Sequence, residues 1–136
     1  MPTRTATCMC RQLSVTCEGE PDRVSLCFCT ECQRRTGAPF GAGAYFPRSQ
    51  VKVQGAAKTF TRPADTGRLL HNRFCPDCGT TVFWEMEMRP NHFGVALGTF
   101  NDPAFPKPHA VVWTDNKPDW LPLPDGAPAF ARAQPA

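Results

Sequence analysis

Seven of the eight cysteines in this 136-residue chain fall into three short runs. These are Cys8-Met9-Cys10, the overlapping Cys27-Phe28-Cys29-Thr30-Glu31-Cys32, and Cys75-Pro76-Asp77-Cys78-Gly79. Such clustering restricts the chain to cross-linking, redox chemistry or metal binding. In a CxxC two sulfurs converge on one ion, and a proline inside it with a glycine after it favours a tight turn that aims backbone amides at the sulfurs. CPDCG is therefore the most specific metal signal in the sequence. A CxC on extended backbone also places both side chains on one face, because strand side chains repeat with period two.

The redox compartment decides between metal and disulfide. The start MPTRTATCMC carries no apolar stretch of the kind found in signal peptides, and no run approaches the roughly 20 apolar residues that cross a bilayer. The expectation is a cytoplasmic protein with no membrane partner, where lasting disulfides are disfavoured and metal binding accounts best for the clusters. All-thiolate tetrahedral sites suit zinc or iron, and zinc is the reading taken here, at two ions per chain. The formal charge of +3 does not by itself point to nucleic acid. Seven bound thiolates and two divalent ions together add three negative charges and cancel it.

Fifteen prolines and ten glycines disfavour long helices, and 41% hydrophobic residues suffice for a core. The fold class read from this pattern is mostly β, one domain, with short turns of helix. From Gln12 the chain alternates, with Leu13, Val15 and Cys17 on one face, as a half-buried strand does. Val24 to Arg35 reads as a metal loop entering a short helix that stops at Thr36-Gly37-Ala38-Pro39. Strands are expected over Phe40–Phe46 and Val51–Val53. A hairpin with its turn at Asp65-Thr66-Gly67 is expected over Phe60–Ala64 and Leu69–Phe74, and further strands over Thr80–Met86, Phe93–Phe100 and Ala110–Thr114. The metal-binding domain is placed at 1–121, and the Pro/Ala-rich stretch 122–136 is expected to be a tail packed loosely on or beside it.

Spacing supports a four-cysteine staple and a three-cysteine loop. If Cys8 and Cys10 join Cys75 and Cys78, a closed structural site results, while Cys27, Cys29 and Cys32 keep a position free for water or substrate. Cys17 shares its face with Leu13 and Val15 and reads as core. His71, His92 and His109 form no metal-spaced motif, although any of them could complete the second site. Arg34 and Arg35 follow the second cluster directly, where they could offset thiolate charge or grip a substrate carboxylate. Trp84, Trp113 and Trp120 read as core or rim.

The set CMC, CFCTECQRRTGAPF, FCPDCGT and GTFNDP resembles the glutathione-dependent formaldehyde-activating enzyme family, over about residues 4 to 121. The resemblance implies a zinc-stabilised β-tent fold. It assigns Cys8, Cys10, Cys75 and Cys78 to a structural zinc and Cys27, Cys29 and Cys32 to a second, catalytic one. It also implies a carbon–sulfur lyase activity of the S-(hydroxymethyl)glutathione synthase type, with glutathione or another small thiol as partner. Two positions depart from the family pattern: Phe28 stands where histidine is typical, and Arg11 where glycine usually follows the first CxC. A second function class is a non-enzymatic two-zinc module that binds a protein partner. A third, nucleic-acid binding, is suggested by likeness to centromere protein V-like zinc proteins. Basic and aromatic residues form no interleaved stripe, which speaks against it.

Overall fold

A computed structural model describes residues 1–134. The chain is mostly β and divides into two compact units, Met1–Asp22 with Ala44–Pro103, and Arg23–Gly43 with Ala104–Ala136.

In the first unit, strands β1 (Thr3–Thr7), β2 (Ser14–Glu18) and β5 (Val51–Gln54) form an antiparallel sheet in the order β1-β2-β5. The alternation that predicts β2 is what organises it. Leu13, Val15 and Cys17 are all fully buried, as their shared face requires. Strand β1 has no sequence signal. Ala6 is its sole buried residue, and threonines hold it to β2, with Thr5 Oγ1 3.3 Å from Thr16 Oγ1.

The same unit carries β6 (Lys58–Pro63), β7 (Leu69–Phe74), β8 (Thr81–Met86) and β9 (His92–Ala96), each antiparallel to the next. The predicted β6–β7 hairpin forms, turning at Gly67 with φ 86°. Strand β9 stops at Ala96, short of the Phe100 expected from its apolar run. Leu97–Phe100 winds instead into a 3-10 turn that ends on Asn101 at φ 50°, a left-handed conformation asparagine tolerates. Register places Gly94 opposite Trp84, and a Cβ at Gly94 would lie 2.1 Å from Trp84 Nε1. Glycine is thus what lets the buried indole cross that strand. Strand β4 (Gly41–Pro47) delivers Phe46 to the core, 6.3 Å from Phe100.

In the second unit, β3 (Arg23–Cys27) pairs in parallel with β10 (Ala110–Val112), Cys27 standing opposite Val112. The sequence reading treats Val24–Cys27 as loop; it is strand, because its backbone finds partners far along the chain. Helix α1 (Thr30–Thr36), the one α-helix among the described residues, ends at Gly37 with φ 71°, as the Thr-Gly-Ala-Pro stop predicts. The stretch expected to lie as a loose tail is tied down where it is described. Val111 N donates to Pro128 O at 2.8 Å, Phe130 N to Val111 O at 2.9 Å and Trp113 N to Arg132 O at 3.1 Å. Backbone pairing needs no apolar periodicity, so composition gives no warning of it. The tail's last two residues lie outside the described residues.

Candidate metal centres

The first cluster is built from two turns. Cys8 and Cys10 do not sit on a strand, as period-two reasoning suggests, but in the turn after β1, where Cys8 N donates to Leu13 O at 3.0 Å and Arg11 N to Cys8 O at 3.1 Å. Arg11 takes φ 73°, the left-handed conformation that explains why glycine suits this position. Its guanidinium compensates locally, donating to Met9 O at 2.8 Å. Cys75 and Cys78 come from the turn after β7, closed by Gly79 N to Cys75 O at 2.9 Å with Gly79 at φ 79°. The four sulfurs of Cys8, Cys10, Cys75 and Cys78 all lie within 4.8 Å of one another and could hold a metal ion. Cys10 Sγ is 3.6 Å from both Cys8 Sγ and Cys75 Sγ. This matches the roughly 3.8 Å between sulfurs that each sit about 2.3 Å from a tetrahedral ion.

The surroundings favour thiolates. Leu13 N reaches Cys8 Sγ at 3.3 Å, Asp77 N reaches Cys75 Sγ at 3.4 Å, and Thr80 Oγ1 lies 3.3 Å from Cys78 Sγ. The Thr80 hydroxyl and amide bring Cys78 down to about 5. Cys75 is opposed by burial yet lowered on balance by Gln12 and by backbone amides. Cys10 shows the opposite: the Gln12 amide pulls it down, but burial and three neighbouring sulfurs push it up to about 12. Four crowded sulfurs cannot all ionise unaided, and a divalent cation would relieve the repulsion.

The second cluster uses extended backbone followed by helix. Cys27 ends β3, and Phe28 N donates to Val112 O at 3.1 Å, so period two sends Cys27 and Cys29 one way and Phe28 the other. Phe28 is 1% exposed and packs on Phe40 with ring centroids 5.6 Å apart. It is a core residue and does not face the sulfurs. Cys29 caps α1, its sulfur accepting from Cys32 N at 3.2 Å. The sulfurs of Cys27, Cys29 and Cys32 also lie within 4.8 Å of one another and could hold a metal ion. Cys27 is pushed far up by Cys29, Cys32 and burial; Cys32 is lowered by its bond with Cys27 but raised on balance by Cys29 and burial. A cation would relieve the repulsion in this group too.

The flanking arginines part company. Arg34 is exposed and donates to Glu31 Oε1 at 2.7 Å, whereas half-buried Arg35 directs its charge toward Cys32. The three histidines are engaged elsewhere: His71 Nδ1 is 2.8 Å from Thr61 Oγ1, His92 Nε2 is 2.7 Å from Asp22 Oδ2, and His109 Nδ1 accepts from Val24 N at 3.1 Å. Cys17 is fully buried, which pushes its thiol to about 12, as expected of a core cysteine. Trp84 is buried, Trp113 half-buried and Trp120 exposed.

Sequence reading missed Gln12, Gln33 and Gly41. Gln12 Nε2 donates to Cys75 Sγ at 3.1 Å, although strand alternation makes it merely polar. Gln33 Nε2 donates to Phe28 O at 2.8 Å and fixes the loop between Cys27 and Cys29. Gly41 is buried against Cys32 and Arg35. A glutamine two residues beyond one cysteine pair and a glycine nine beyond another carry no pattern that would single them out.

A mostly β chain with two all-cysteine groups, each able to hold an ion, defines the class of a small metal-site protein. The model of the family "Glutathione-dependent formaldehyde-activating enzyme" matches residues 3–116, and the chain belongs to that family. The match includes all seven clustered cysteines. A crystal structure of a Rhodobacter sphaeroides protein is similar in fold, with a TM-score of 0.56 at 17% identity, covering 93% of this chain and 98% of that one. No curated protein matches the chain.

Proposed function

We propose that this protein is a zinc-dependent carbon–sulfur lyase of the S-(hydroxymethyl)glutathione synthase type, acting in the cytoplasm on the adduct of a small aldehyde with glutathione or another thiol. The observation that carries this reading is the three-membered sulfur group Cys27, Cys29 and Cys32, inside a chain of the glutathione-dependent formaldehyde-activating family. Three protein ligands suit a working zinc site, four a structural one. On that division Cys8, Cys10, Cys75 and Cys78 hold the fold together.

Bound zinc would supply a lowered thiol pKa and a polarised carbonyl. In the synthetic direction a sulfur–carbon bond forms as the carbonyl π bond breaks, and the thiol proton ends on the new hydroxyl oxygen; the lyase direction reverses each change. The chain's own part is positional. Cys29 is fixed as the helix cap, Gln33 pins the Phe28 carbonyl, and Phe28 with Phe40 closes the apolar side of the loop. Arg35 places a permanent positive charge beside the sulfurs. The departure at Phe28 leaves this reading intact, since its ring lies in the core.

Cobalt-substituted protein titrated with glutathione tests the proposal. A shift of the cobalt–thiolate absorption bands with one equivalent of thiol per chain is expected. Unchanged bands at millimolar glutathione would favour a non-enzymatic two-zinc module instead. Cys78→Ser should unfold the protein, and Cys29→Ser should lose one metal equivalent while remaining folded.

A further inference from the structure

Strand β6 (Lys58–Pro63) pairs with β7, and its other edge has no backbone partner among the described residues. All of its residues but half-buried Arg62 are exposed. Period two divides the side chains between two faces. On one, Thr59 Oγ1 accepts from Arg73, and Thr61 Oγ1 lies 2.8 Å from His71 Nδ1. Lys58, Phe60 and Arg62 take the opposite face, about 7 Å from one to the next. Phe60 stands 61% exposed between the two cations. Neither cation forms an ion pair among the described residues, and the one bond Arg62 makes, Nη1 to Pro63 O at 3.2 Å, leaves most of its donors free.

We propose that this edge takes up an extended acidic peptide as an added strand, one in which two acidic side chains flank an apolar residue at alternate positions. An added strand satisfies the open row of backbone N–H and C=O groups. Side chains directly opposite one another then meet on one face: a carboxylate against Lys58, an apolar group against Phe60 and a carboxylate against Arg62. Opposite charges and apolar groups are each favourable as cross-strand pairs. The surface uses neither cysteine group and is independent of the chemistry proposed for them.

Edge strands also carry charge as protection against pairing with copies of themselves. Lys58 and Arg62 serve that end here. Two antiparallel copies of β6 centred on Phe60 would set Lys58 against Arg62, and any other register still gathers four cations along one seam. Protection does not call for an exposed phenylalanine between the charges, and the cations that repel a second copy attract an acidic strand. A nucleic acid would need the alternation of stacking ring and cation to continue past a single strand. On the same face β7 offers Phe74, Asn72 and Leu70, none of them charged.

The test uses the full metal-loaded chain and a fluorescein-labelled peptide, Thr-Glu-Thr-Leu-Thr-Glu-Thr, read by fluorescence anisotropy. The same peptide with lysine for both glutamates should bind about tenfold more weakly. Two further versions carry N-methyl groups on alternate residues, so that each blocks one edge of the peptide. One should bind as the parent does and the other should not bind, because an added strand pairs through a single edge. Phe60→Ser should weaken the acidic peptide severalfold, and the double variant Lys58→Glu with Arg62→Glu should prefer the lysine peptide. Circular dichroism of each variant checks that the fold is retained, and the methylated pair tests the proposal on the unmodified protein alone. Equal binding of the two methylated peptides would reduce the contact to charge attraction and overturn the proposal. So would a single-stranded oligonucleotide that binds more tightly than the acidic peptide, a dimer of the chain that Phe60→Ser dissolves, or no anisotropy change at millimolar protein.

Discussion

Gln12 Nε2 lies 3.1 Å from Cys75 Sγ and 2.6 Å from Ala56 O, while Gln12 Oε1 accepts from Ala56 N at 3.0 Å. One side-chain amide thus binds the backbone of residue 56 in both directions and keeps an N–H for a sulfur of the first cluster. Gly55, at φ 99°, makes the approach possible, since a Cβ there would meet Gln12 O at 2.0 Å. Hydrogen bonds to ligating groups fix their orientation, and losing one costs about 10–100-fold in metal affinity.

Gln12→Leu should therefore release metal from the first site about tenfold faster to a chelator, with the second site unaffected. Gln12→Glu should be worse still, because it replaces the donor with a negative charge. Stopped-flow chelation, with two resolvable phases, reads both. Equal release rates in all three proteins would assign Gln12 to the turn alone.

Arg11 at φ 73° sits where an L-residue is strained by about 1–2 kcal/mol. Comparing Arg11→Gly with Arg11→Ala isolates the backbone from the side-chain bonds, since both variants lose the latter. The glycine variant should be more stable by about 1 kcal/mol in urea unfolding of metal-loaded protein. An alanine variant of equal stability would contradict a left-handed backbone at this turn.

Gly94→Ala should destabilise the first unit by about 1–3 kcal/mol, because the new methyl group would meet Trp84 Nε1 at 2.1 Å in a buried, well-packed layer. Tryptophan fluorescence should change with it. A neutral substitution would show that the indole lies elsewhere.

Glu85 is half-buried, which alone would raise its pKa, yet bonds from Arg73 and Arg48 hold it below the ordinary carboxylate value. A carboxylate depressed in the folded state contributes stability above its unfolded pKa of about 4.3 and loses it as pH falls through the lower folded value. Glu85→Gln should accordingly lower stability at neutral pH and flatten its decline below about pH 4, in denaturation series run at each pH. An acid limb as steep as that of the unmodified chain would place the titrating group elsewhere.

The sequence by itself determined the local cysteine runs, the β class and several elements, each for a local reason. Cysteine spacing limits which sulfurs can share an ion. The alternation Leu13, Val15, Cys17 fixes a buried face, and glycine at 37 and 67 marks backbone that must turn left-handed. Tertiary structure decided what depends on partners distant along the chain. Strand β3 takes as one of its partners β10, more than eighty residues later, and the loose-looking stretch around residues 128–132 is tied to the backbone of residues 111–113. Gln12 became a sulfur donor because the turn at Gly55 closes on it, and Arg35 parted from Arg34 because a helix turns about 100° per residue, carrying one guanidinium to Cys32 and the other to Glu31. Local pattern encodes torsion angles and burial; which polar group meets which sulfur is set by long-range packing, to which spacing along the chain is blind.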